Sequence, residues 1–256
     1  MCIRDRLKLF EIKANIIILV LLMGCASSKD PSDGQDMRER SKMTLKNFEK
    51  LNAIGRGGFG KVYEVRNTKT DQRYAMKEMD KTRIYAKRSV ESVMNELRIL
   101  FRVKSEFIVN VNYAFQDKER LFLVMDLMKG GDLRKHHRKI RMFTEEQTRF
   151  FLACVMEGLE EVHDKGILHR DIKPENLVFD EEGYLRITDF GIARSWSPDN
   201  GVNNSGTPGY MAPEVMERQN HSIPADYFAL GVIGYECMMG RRPYLGKDKK
   251  EIYKAI

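Results

Sequence analysis

The segment His169-Arg170-Asp171-Ile172-Lys173-Pro174-Glu175-Asn176 brings a carboxylate, two cations and an amide oxygen into eight consecutive residues. Phosphoryl transfer is the chemistry that needs those groups together. There the protein does little covalent work; it orients an acceptor hydroxyl and neutralises the charge that builds on the transferred phosphate. In such a site Asp171 accepts the hydroxyl's hydrogen bond and Lys173 lies beside the γ-phosphate. Asn176 holds one magnesium ion and Asp189, of Asp189-Phe190-Gly191, holds the other. A solvated loop can be as rich in charge, but it would not be followed at this spacing by Asp-Phe-Gly and then by Ala212-Pro213-Glu214.

On these motifs the chain resembles the eukaryotic protein kinases, and Lys173 in the Lys-Pro-Glu-Asn run is their serine/threonine form rather than their tyrosine form. Asn95-Glu96-Leu97-Arg98-Ile99-Leu100, Gly130-Gly131-Asp132-Leu133-Arg134 and Gly240-Arg241-Arg242-Pro243-Tyr244 resemble the AGC group. Within that group the likeness is to the lipid-modified YANK kinases. The resemblance runs from about Leu45 to the last residue. It implies an α+β, bilobal fold with a five-stranded antiparallel N-lobe carrying a helix called αC in the family, and a mainly helical C-lobe. It also implies ATP and Mg2+ as cofactors, and protein substrates modified on serine or threonine. The expected organisation is an upstream or signal-like segment at 1–22, an acylated flexible segment at 23–44, an N-lobe at 45–125 and a hinge at 126–131. An incomplete C-lobe fills 132–256, since the family's last helices are expected to be missing.

Positioning the nucleotide falls first to the run Ile54-Gly55-Arg56-Gly57-Gly58-Phe59-Gly60-Lys61-Val62. Its flanks are apolar and strand-like, so it suits a hairpin whose missing side chains let backbone N–H groups close over phosphates. All nine residues are candidate nucleotide contacts. A dinucleotide-binding loop would instead need a helix directly after the glycines. Here Lys61-Val62-Tyr63-Glu64-Val65 is patterned as a strand. Lys77, of Ala75-Met76-Lys77 in the next strand but one, is the candidate for pairing with the α- and β-phosphates.

Such a lysine needs a carboxylate to hold it, supplied in kinases by αC. Val90, Val93, Met94, Leu97 and Leu100 recur at helical spacing, which predicts a helix near 89–101. Glu91 and Glu96 lie five positions apart, so they point in directions about 140° apart and cannot both serve. Glu96 is selected by its place in the family-like run, and Glu91 is expected to be solvated.

The apolar run at 121–125 predicts a buried strand that ends in a hinge. By the resemblance, Met125 lines the back of the adenine pocket, although ordinary core packing explains a methionine there equally well. Backbone groups of Asp126 to Met128 bond the base, Asp132 meets the ribose, and Ala75 and Val178 complete the contacts. Residues 144–163, opened by the capping box Thr144-Glu145-Glu146-Gln147, should form a buried helix leading into the catalytic segment, and 226–239 a second one. The family pattern has Asp226 anchoring the catalytic segment and a tryptophan two places later, where this chain has Phe228.

Thr207, in Gly206-Thr207-Pro208, is a candidate contact for the acceptor residue. Arg170 beside Asp171 implies control by a phosphate that pairs with the arginine. Where many AGC kinases carry a phosphorylated threonine this chain has Asn203; Ser205, Ser197 or Ser195 are the alternatives, or the segment is plain polar loop. Glu175 and Glu236 match positions where basophilic AGC kinases face substrate arginines, implying basic residues N-terminal to the target. A third such position holds Gly209.

The 256 residues carry a formal charge of +7, with 42% hydrophobic residues. That composition belongs to a globular protein of kinase-core size. Lacking a nucleic-acid-binding motif, the charge gives no reason to expect DNA or RNA as partner, and a monomer is expected. Basic residues at 134–141 suit a solvated helix face or, alternatively, an anionic partner. Cys2, Cys25, Cys154 and Cys237 have no metal-ligand spacing, and the last two should be buried thiols.

Residues 16–23 form an apolar run too short for the roughly twenty residues that cross a bilayer. With the cations before it, the run could be a signal peptide. The alternative starts at Met23: Met23-Gly24-Cys25-Ala26-Ser27-Ser28 fits N-myristoylation of Gly24 with Cys25 open to palmitoylation. That choice gives a cytoplasmic kinase held peripherally on a membrane surface; a plain cytosolic tail is the third. A polar linker at 29–42 follows.

Overall fold

The computed structural model describes residues 43–202 and 205–256. The segments assigned above to an upstream extension, to acylation at Gly24 and Cys25, and to the linker at 29–42 lie outside those residues, as does Asn203. The described chain divides into two compact units, one running to Phe101 and resuming at Val111–Leu127, the other made of Arg102–Asn110 and Met128–Ile256.

The first unit is built on an antiparallel sheet of β1 (Phe48–Arg56), β2 (Gly60–Asn67), β3 (Arg73–Asp80), β4 (Val111–Gln116) and β5 (Arg120–Met125), in the order β1-β2-β3-β5-β4. This is the five-stranded antiparallel sheet expected from the motifs. Alternation along β3 and β5 makes both faces apolar. Tyr74, Met76, Phe122 and Val124 pack with Phe48 and Val65 on one face. Met79, Leu121 and Leu123 turn to the other, where Val93, Met94 and Leu97 of a helix meet them. That helix, α2 (Val90–Arg102), lies within a residue of its predicted span, after the short α1 (Lys81–Ala86) that Asp80 caps by accepting from the Arg83 N–H. Each such side chain taken fully out of water contributes about 1.5–3 kcal/mol.

The second unit contains α3 (Leu133–Ile140), α4 (Glu145–Asp164), α5 (Pro213–Met216), α6 (Pro224–Met239) and α7 (Lys249–Ala255). Two small ladders accompany them, β6 (Ile167–Leu168) with β9 (Arg194–Ser195) and β7 (Leu177–Phe179) with β8 (Leu185–Ile187). The predicted capping box opens α4: the Gln147 N–H donates to Thr144 Oγ1 at 3.2 Å and the Thr144 N–H to Gln147 Oε1 at 3.0 Å. In the second half of α4, a Cβ on Gly158 would stand 2.8 Å from the Phe107 carbonyl oxygen, so glycine is what lets the 102–110 segment lie against the helix. Cys154 and Cys237 are buried on α4 and α6 as expected, and burial pushes the Cys237 thiol up to about 12. No described helix is long and apolar enough to cross a membrane.

Candidate active site

In the first unit the glycine run forms the turn between β1 and β2, with the Gly57 N–H donating to the Gly60 carbonyl at 2.9 Å. A strand follows the glycines, so this is a hairpin and not a dinucleotide-type strand-to-helix turn. Glycine at position 60 is obligatory, because a Cβ there would fall 1.8 Å from the Glu78 carbonyl oxygen. Lys87, from the end of α1, donates to the Gly58 carbonyl at 2.9 Å, a support for the turn that sequence patterning did not reveal.

Lys77 lies in β3, directly across from Val62 of β2 and Leu123 of β5. Being two residues from Met79, it shares the helix-facing side of the sheet. There its Nζ meets Glu96 Oε1 of α2 at 2.7 Å. Glu91 is exposed, so the choice between the two glutamates falls to Glu96. Ala75 sits opposite Met125 on that side as well, which groups Val62, Ala75, Lys77 and Met125 on one surface. Asp126 follows, accepting from Asn112 Nδ2 at 2.8 Å.

In the second unit the 169–176 segment is held from beneath by Asp226, at the start of α6. Its carboxylate accepts the backbone N–H groups of His169 (2.9 Å) and Arg170 (2.7 Å) and meets His163 Nε2 at 2.9 Å. Burial opposes a charge there, yet the His163 bond and the two backbone amides outweigh it and hold the carboxyl below its usual range. Arg170 takes a left-handed backbone with φ of 66°. A non-glycine residue pays about 1–2 kcal/mol for that conformation, and the amide bonds to Asp226 offset it. Phe228, in the place of the family's tryptophan, stacks on Tyr244 with ring centroids 6.0 Å apart.

The strain turns the Asp171 side chain into a cluster of partners. Lys173 Nζ lies 2.6 Å from Asp171 Oδ2 and 3.0 Å from Thr207 Oγ1, while the Thr207 hydroxyl donates to Asp171 Oδ1 at 2.6 Å. Asn176 Nδ2 donates to the Asp171 carbonyl at 2.9 Å. Asp171, Lys173 and Asn176, predicted to act together, are thus joined in one cluster with Thr207. Asp189 also has a left-handed backbone, with φ of 65°, and Phe190 after it is buried against the His169 ring.

A protein kinase domain model matches residues 48–256. The chain belongs to the protein kinase domain family. It is 38% identical over 239 residues to the human RAC-beta serine/threonine-protein kinase, covering 91% of this chain and 50% of that protein. A RAC family serine/threonine-protein kinase homolog of Dictyostelium discoideum is 36% identical over 226 residues, 87% of this chain and 51% of the relative. The serine/threonine-protein kinase sgk-1 of Caenorhabditis elegans is 38% identical over 221 residues, 85% and 48% respectively. The chain spans about half the length of these curated relatives.

Within the kinase domain the donor set suits magnesium. Asn176 spends its amide hydrogens on Asp171, which leaves its carbonyl oxygen as a hard donor, and Asp189 adds a carboxylate. Among the described residues no group of three or more His, Cys, Asp or Glu side chains could hold a metal alone. Magnesium habitually uses one or two protein oxygens together with substrate phosphates, so two residues are enough.

The remaining candidate site residues fall as follows. Asp132 caps α3 through the Lys135 N–H at 2.8 Å, and the adjoining backbone bridges to Val178. Ile54 is exposed on β1 and Met128 opens the second unit's main stretch. Arg170 donates to the Ile192 carbonyl through Nε at 2.9 Å and Nη2 at 2.6 Å. Burial, with Arg194 nearby, lowers its guanidinium to about 10. Ser195, Ser197 and Ser205 are exposed.

Glu175 and Glu236, expected to face substrate arginines, already have a partner within the chain. Both carboxylates are engaged by Arg134 from within the chain, at 2.8 Å each. The basic stretch at 134–141 is accordingly no uniform solvated face. Arg134 takes these two acids and His137 is buried on the Glu236 carbonyl, so the exposed cations of α3 are Lys135, Arg138 and Lys139.

Proposed function

We propose that this chain transfers the γ-phosphoryl group of ATP to serine and threonine hydroxyls of protein substrates. The observation that carries the proposal is the Thr207 hydroxyl donating to Asp171 Oδ1 at 2.6 Å, with Lys173 bonded to both. A substrate hydroxyl in that position gives its proton to Asp171 as its oxygen attacks the γ-phosphorus. The bond to the β,γ-bridging oxygen breaks, and ADP leaves. Lys173 steadies the negative charge around the transfer, and Lys77, oriented by Glu96, binds the α- and β-phosphates. Magnesium, held through Asn176 and Asp189, would supply the neutralising charge on the phosphates. A nucleotide-binding scaffold without transfer is disfavoured by the presence of Lys77, Asp171 and Asp189 together.

The test is labelled phosphate transfer from ATP by wild type beside Asp171→Ala. The expected loss is on the order of 10²–10⁴-fold. Equal labelling by the two proteins would show that Asp171 is not the base.

As a finer assignment, the chain is an AGC kinase of the YANK type, monomeric and cytoplasmic, acylated at Gly24 and Cys25 and so placed on a membrane surface. What supports this is the Met23-Gly24-Cys25-Ala26-Ser27-Ser28 signal. A single myristoyl chain binds membrane only marginally, which is why Cys25 is needed as a second anchor. Protein translated from Met23 should incorporate a myristate analogue, and Gly24→Ala should not; absence of label from both would end the acylation proposal. The assignment includes no preference for basic residues around the target, because Arg134 already engages both acids expected to provide it.

A further inference from the structure

Arg134 makes four side-chain bonds, to Glu175, Glu236 and Tyr210, and two of these partners, Glu175 and Tyr210, adjoin the residues of the transfer chemistry. Its Nε donates to Glu175 Oε1 at 2.8 Å, and Nη1 and Nη2 donate to the two oxygens of Glu236 at 2.8 and 3.3 Å. Nη2 also reaches the Tyr210 hydroxyl, which itself donates to Glu236 Oε2 at 2.5 Å. Glu175 is two residues past Lys173 and Tyr210 three past Thr207, so the chain itself puts this cluster beside the acceptor hydroxyl's place.

Two carboxylates converging on one planar guanidinium form the arrangement that recognises an arginine side chain. Here the arginine is the chain's own. Burial works against the Arg134 charge, but the Glu236 and Glu175 bonds overcome it, so the guanidinium stays charged at every relevant pH. Its side chain is 15% exposed and that of Glu236 is 7% exposed, whereas Glu175 is 45% exposed. A second cation lies close by: Arg242 covers Gly209, where a Cβ would fall 2.2 Å from Nη1, and stands 5.6 Å over the Tyr210 ring. Both acids are therefore already engaged by one guanidinium of the chain, that of Arg134.

We propose that Arg134 is a specificity-determining residue that fills the Glu175–Glu236 site from within, so that an arginine in the substrate gains nothing from that pair. Specificity is a difference of affinities, and an occupied acceptor pair contributes nothing to the difference between arginine and alanine peptides. This rests on the serine/threonine kinase reading above.

The test measures kcat/KM for peptide pairs that differ by arginine or alanine at each position N-terminal to one serine, using wild type, Arg134→Gln and Arg134→Gln/Glu175→Gln. Wild type should give ratios near one. Arg134→Gln should raise the arginine-to-alanine ratio on the order of tenfold at one position, the effect of a charge-assisted hydrogen bond. Adding Glu175→Gln should reverse most of that rise. Should Arg134→Gln not fold, Arg134→Lys decides: a lysine reaches one carboxylate, frees the other and should raise the ratio several-fold. A strong arginine preference in wild type, or a folded Arg134 variant with an unmoved ratio, overturns the proposal. Failure of the kinase reading looks different, because then wild type labels no peptide more than Asp171→Ala does.

Discussion

Lys77 and Asp171, the proposed phosphate-binding cation and the proposed base, are held by opposite means. Lys77 sits in a regular ladder, its direction set by alternation along β3 and its partner Glu96 set by the pitch of α2. Asp171 sits in irregular chain, its direction set by the strained Arg170 and by a buried carboxylate 56 positions beyond that residue, Asp226. The first arrangement spreads its support over many apolar contacts and backbone hydrogen bonds. The second concentrates it in a few buried polar bonds, where one deletion strands several groups.

That contrast predicts where each unit breaks. Asp226→Ala should have the largest effect: it strands the His169 and Arg170 amides and His163, and should cost about 3–5 kcal/mol, as breaking a buried charged network does. Denaturant unfolding measures this, and a loss below about 1 kcal/mol would show that the catalytic segment holds its shape by other means. Activity should fall with it, because Arg170 then has no reason to keep its left-handed backbone.

Glu96→Gln should separate function from folding. The pair is partly exposed on the lysine side, at 22%, so the stability change should stay within about 1 kcal/mol. Transfer should fall about 10²-fold, because a lysine that is no longer pinned aims its charge poorly at the phosphates. A large shift in melting temperature with little loss of transfer would reverse the assignment and make the pair structural.

The same contrast explains what the sequence disclosed. The strand at 121–125, α2, α4 with its Thr144–Gln147 box, and α6 were legible because apolar periodicity and capping are local signals, whereas the count of five strands came from the family resemblance. Asp171, Lys173, Asn176 and Asp189 were legible because they lie in short contiguous motifs. Arg134 was not: its partner Glu236 is 102 positions away, and a run of cations on a short helix looks like a solvated face until the fold puts acids over it. The Arg102–Asn110 segment was hidden for a similar reason, since its place in the second unit depends on Gly158 in a distant helix. Local pattern gives direction along an element, not what the element will be laid against.

His169 gives the smallest and most discriminating test of the anchored segment. It is fully buried, and burial lowers its pKa despite the opposing fields of Asp226, Asp189 and Asp171. Its bonds agree with a neutral ring: the Asp171 N–H lies 3.3 Å from Nδ1, which must accept, and Nε2 lies 3.2 Å from the Thr188 carbonyl, to which it must donate. Protonation would set a second ring hydrogen against the Asp171 amide. Because the folded pKa is below the unfolded value of about 6.5, the unfolded chain binds the proton that the folded one refuses. The contribution is therefore complete above about pH 6.5 and is lost as pH falls below it, by at most about 1.4 kcal/mol per pH unit. His169→Phe, which keeps a ring against Phe190, should flatten that part of the stability curve while lowering it overall. Parallel curves for the two proteins between pH 7 and pH 5 would mean that the ring does not resist the proton, and that the segment is looser than its bonds to Asp226 imply.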